Sequence, residues 1–158
     1  MSLVDLGVWT LRFFGLLYFL FGLWGAWAAW RWSWLDGAAA KLHRMAEEIA
    51  AESGEKLPPG RYDPPDPHRS IWIVSGALIV AAAGAMMLIA HRLAVPLLAL
   101  IILHQLLYFI RQRRRELAAV TRGAAEDARP ARATVNGFFA GLLMAVLAAW
   151  LYWQGALI

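Results

Sequence analysis

His104 and Gln105 stand side by side inside an apolar run, Leu93–Ile110, that carries no charged residue. A histidine in such surroundings has three chemistries open to it. It can ligate a haem iron or a chlorin magnesium, relay a proton, or hydrogen-bond a neighbouring helix. Tyr108 lies one helical turn further on, on the same face, and can donate a hydrogen bond there. Two-histidine haem ligation needs a second imidazole at matching depth. His91 sits at the end of the preceding apolar run, about half a membrane away, so that pairing fails on geometry. A single-ligand haem or chlorin at His104 remains the one cofactor candidate. An interhelical hydrogen bond from His104 or Gln105 to serine, asparagine or backbone, worth about 0.6–2 kcal/mol, is the reading the residues favour.

The remaining chemistry is defined mostly by what is missing. The chain has no cysteine, which removes disulfides, thiolate metal sites and thiol nucleophiles. His43, Glu47, Glu48 and Glu52 gather on one segment, but His43 and Glu47 at i, i+4 supply only two ligands, so a solvated charged face is expected and no metal site. No phosphate loop, nucleophile elbow or HExxH motif is present. The four uncharged runs, 13–30, 70–90, 93–110 and 133–158, hold no Asp, Glu or Lys. Membrane enzymes and ion-coupled transporters that depend on buried carboxylates or lysines are therefore not suggested.

Those runs are the elements that must position His104. Each has 18 or more residues, enough for a helix to cross roughly 30 Å of hydrocarbon. The continuous run Pro96–Leu103 lacks the alternation of a barrel strand. With 61% apolar and 16% charged residues in 158, the chain reads as all-α: one polytopic membrane domain, a bundle of four transmembrane helices. The expected spans are about 6–34, 70–91, 93–112 and 133–156, with Arg12 snorkelling from the first. An A-x-A pattern at Ala26-Trp27-Ala28 resembles a signal-peptidase site, but the acidic start and the surrounding Trp favour a retained span.

Two longer connections, about 35–69 and 112–132, link the spans. The first should contain an interfacial or cytoplasmic helix from Asp36 to Ser53, ended by Gly54. Its apolar positions Ala38, Leu42, Met45 and Ile49 suit the inner leaflet, a partner, or the mouth of the bundle. Five prolines within 57–67 make that stretch an extended connector. The third span should run on as helix through Arg111–Arg122, with Arg113, Arg114 and Arg115 meeting anionic lipid. One short basic patch does not make a nucleic-acid binder.

Lys and Arg fix the expected orientation: thirteen in the segments 31–69 and 111–132, which comprise the two long connections and the span ends beside them, against two elsewhere, Arg12 and Arg92. Both connections should be cytoplasmic and both termini periplasmic. Aromatic residues mark the two interfaces, among them Trp30 and Trp34 at one and Trp150 and Trp153 at the other. Close packing is expected from small residues on the second and fourth spans, namely Gly76, Ala81 and Gly84, and Gly137, Gly141 and Ala145. The expected role is a non-catalytic accessory, assembly or stabilising subunit of a larger bacterial inner-membrane complex, with lipid and other membrane subunits as partners. The rival is an oligomeric channel or transporter component lined by Ser75, His104, Gln105 and Asn136.

Overall fold

A computed structural model describes residues 2–53, 69–118 and 129–158. Among these, four helices follow in order: α1 (Leu3–Ser53), α2 (Arg69–Leu88), α3 (Ala94–Ala118) and α4 (Arg132–Trp153). All four are long and apolar enough to span a membrane. They pack as an up-and-down bundle in which α1 lies against α2, α2 against α3, α3 against α4, and α4 closes back on α1. The extended connector expected over 57–67 and the part of the basic helix beyond Ala118 lie outside the described residues.

Helix α1 starts with a reciprocal cap. The Asp5 amide donates to Ser2 Oγ at 3.1 Å and the Ser2 amide to Asp5 Oδ2 at 2.8 Å. Such a capping box satisfies two donors that an open helix start leaves unpaired. At the other end the expected break near Asp36 is absent, and α1 continues unbroken to Ser53. Gly37 alone disfavours helix by only about 1 kcal/mol relative to alanine. The helix-forming Ala38-Ala39-Ala40 follows it, and proline does not interrupt the segment. At 1.5 Å per residue, the 51 residues make a rod about 76 Å long. The helix expected over 36–53 is thus present as an extension of the first span.

Helices α2 and α3 are joined by a tight turn. The Ala90 amide donates to the Met87 carbonyl at 3.0 Å, and the His91 amide to the Met86 carbonyl at 2.8 Å. This is a Schellman C-cap whose left-handed residue is Ala90, at φ 52°, where glycine is usual. Gly155 at φ 67° ends α4 in the same way, through Gly155 to Tyr152 and Ala156 to Leu151. The chain after it crosses to the α2–α3 turn. The Ile158 amide donates to the Ala90 carbonyl at 3.0 Å, and the Arg92 amide to the Ile158 carbonyl at 2.9 Å. Beneath these turns sits the core of Leu11, Met87, Leu98, Ile101 and Leu151, with Ala83, Ala94 and Ala148 between them.

The tightest helix contact differs in part from the expected one. Helix α2 does supply it, through Ala77, Ala81 and Gly84, but its partner is α1 through Gly15 and Gly22. A Cβ on Gly22 would lie 2.5 Å from the Ala81 nitrogen, and one on Gly15 would lie 2.6 Å from the Leu88 nitrogen. Only glycine lets the two backbones come this close. On α4, Gly137 faces open space, while Gly141 makes ordinary contact with Tyr18 and Ile101. Ala145 is half-buried against the core cluster. Within the chain, therefore, the small residues of α4 do not produce a close approach.

Candidate functional site

The side chains that line the bundle from α3 follow a heptad. Ala94, Leu98, Ile101, Gln105, Tyr108 and Gln112 recur at steps of four and three, so they share one face. The face is apolar toward the α2–α3 turn and polar from Gln105 onward. Gln112 is only 6% exposed, and its Nε2 donates to Tyr108 Oη at 2.8 Å. Among the described residues the buried Oε1 atoms of Gln105 and Gln112 find no partner.

His104 lies beside this face and turns toward α2. Its Nε2 is 3.1 Å from Ser75 Oγ, and that hydroxyl donates to the Trp72 carbonyl at 3.2 Å. A hydroxyl has one proton. With that proton on the carbonyl, His104 must carry its own on Nε2 and donate to Ser75. Gly76 provides the space: a Cβ there would stand 2.8 Å from His104 Cε1 and 3.2 Å from Nδ1. The Trp72 ring tilts against the imidazole, with centroids 5.1 Å apart, and the Arg111 guanidinium lies 5.8 Å from the Trp72 centroid. Four residues of α2 and α3 thus close into one cluster, Trp72, Ser75, Gly76 and His104.

The cluster couples two helices through one hydrogen bond and one shape match. Metal ligation through Nε2 would first have to break the bond to Ser75. Asn136, grouped with His104 as a pore residue in the rival expectation, is exposed on α4 and does not join the cluster. His43 and Glu47 come within 3.3 Å of each other. No group of three His, Cys, Asp or Glu that would hold a metal occurs among the described residues.

Beyond the apolar run, at the end of α3, Glu116 accepts from Arg113 at 2.7 Å and from Arg129 at 2.9 Å. Hydrogen bonds from Arg129 first, and then Arg113, hold its carboxyl below the ordinary range. Arg114 and Arg115 are exposed beside it, and so are the expected anchors Trp30, Trp34, Trp150 and Trp153.

Several features of the structure lie beyond the expected site residues. The heptad from Ala94 to Gln112 is present in the sequence and singles out Gln112. The S-x-x-D start at Ser2 would have placed the first cap. Gly15 stands seven residues before Gly22 and so shares its helix face, a signal that bulky Phe13, Phe14, Leu16 and Leu17 around it in the chain obscure. Compared with protein-family models, curated proteins and solved structures, the chain matches none.

Proposed function

We propose that this chain is a non-catalytic assembly or stabilising subunit of a bacterial inner-membrane complex, inserted with both termini periplasmic and both charged connections cytoplasmic. One observation carries the reading. The last third of α1 runs past the bundle, and its apolar side chains are uncovered there: Leu42 is 68% exposed, Met45 56% and Ile49 65%. A bilayer hydrocarbon layer is only roughly 30 Å thick, less than half the length of α1. In this placement the stripe stands in water, where burying each large aliphatic side chain yields about 1.5–3 kcal/mol. That is a docking surface for another protein chain. The orientation rests on the thirteen-to-two distribution of Lys and Arg.

Purification in mild detergent should retain a stoichiometric protein partner on the wild-type chain. Leu42→Glu or Ile49→Glu should release it while leaving the spans folded. If the wild type runs alone as a monomer in native-like lipid, the reading is wrong.

A further inference from the structure

The spacing on the α1 extension specifies the kind of partner. Leu35, Ala38, Leu42, Met45 and Ile49 are separated by three, four, three and four residues, the a/d seam of a two-stranded coiled coil. Leucine or isoleucine takes every a position. Arg44 and Glu47 fall on the far side, at c and f, while Lys41 and Glu48 fall at g and Ala46 at e. At about 100° per residue, the seam lies on the side of α1 opposite Gly15 and Gly22, which press the helix onto α2. The chain's own bundle is therefore behind it. Arg31, the next d position toward the bundle, folds over the ring of its own Trp27 at 5.6 Å and bounds the seam.

Symmetry then selects the occupant. Two copies inserted the same way in one membrane present this seam in the same direction and at the same height. Leu42 meets Leu42 and Ile49 meets Ile49 without any slip. In that register the g-to-e pairs are Lys41 with Ala46 and Glu48 with Ser53, while Glu52, the next d position after Met45, meets its own copy and bounds the seam at this end as Arg31 does at the other. We infer that the extension pairs with the same segment of a second copy as a parallel, in-register coiled coil; this rests on the docking function proposed above. Two heptads are too short to pair stably in free solution. Confinement of both copies to one membrane supplies the effective concentration that a short seam needs.

The cysteine-free chain makes the test direct. Single cysteines are introduced at Leu42, Met45 or Ile49 on the seam, and at Arg44 or Glu47 on the far side, and native membranes are oxidised. The seam variants should yield disulfide-linked dimers at roughly ten times the level of the far-side variants, because only facing Cβ atoms come within bonding reach. Equal yields at all five positions, or no dimer at any, would overturn the pairing. Leu42→Glu separates that failure from failure of the docking function. If it strips a chain of different mass from the purified protein while the seam cysteines stay monomeric, self-pairing fails and docking stands. If it changes nothing and the seam cysteines stay monomeric, both fail.

Discussion

A methyl group on Gly76 would lie 2.8 Å from His104 Cε1, well inside van der Waals contact. Gly76→Ala must therefore push the imidazole away, stretching its bond to Ser75 and its contact with Trp72. The expected cost is about 1–3 kcal/mol, the usual range for overpacking. In a His104→Ala background the same substitution should be nearly free, because the atom it strikes is gone. Thermal unfolding in detergent measures both arms of this cycle, and costs that simply add would refute the contact. His104 was legible in the sequence because an imidazole in an apolar run demands a partner. That partner was not legible. Ser75 lies 29 residues away, and only the relative height of α2 and α3 brings the two together. Gly76, expected as a helix-packing glycine, accommodates a side chain and not a backbone.

Between helices, the glycines divide by what faces them. A Cβ on Gly22 meets α2 backbone at 2.5 Å, and backbone cannot rotate out of the way as a side chain can. Gly22→Ala should destabilise by about 1–3 kcal/mol. Gly137→Ala, with nothing within 4 Å, should stay within about 0.5 kcal/mol of the wild type. Matching losses at both sites would mean that α1 and α2 do not meet through glycine. Glu116 links α3 to the chain entering α4 through Arg129, and its behaviour with pH has a definite sign. Its folded pKa is lowered, so the stabilisation is fully present above the ordinary value of 4.5 and is lost as pH falls through the lowered one. Acidification across that window should raise hydrogen exchange at Thr134 and Val135, whose amides close the first turn of α4 onto Ala131. Glu116→Gln should remove the dependence. A wild type that shows no such pH response would rule out the tether. Small-residue spacing on α2 and α4 was visible in the sequence, and so was Gly22 on α1; the choice of α1 as the close partner was not, because the height at which α1 meets α2 brings Gly15 and Gly22 onto backbone.

At the scale of the whole molecule, everything proposed about partners depends on α1 being one rod. The existence and rough limits of the four apolar helices were legible, because uninterrupted hydrophobic length is a strong signal. The junction was not, since Asp36-Gly37 looks like a boundary and only the alanines beyond it carry the helix through. The two alternatives differ in shape. A continuous helix places Thr10 and Glu47 about 55 Å apart, at 1.5 Å per residue. A right-angle bend at Gly37, which would lay the rest on the bilayer surface, brings them to about 43 Å by the same rise. Spin labels on cysteines at these two positions, diluted with unlabelled chain in nanodiscs, can tell the two apart. Glu47 suits the purpose because it lies on the far side of the proposed seam, where a label leaves pairing undisturbed. The expected distribution is centred on the longer distance. A population at the shorter one would return Leu42, Met45 and Ile49 to the lipid surface, where a monomer can bury them without a partner, and the reason for a coiled coil would be gone.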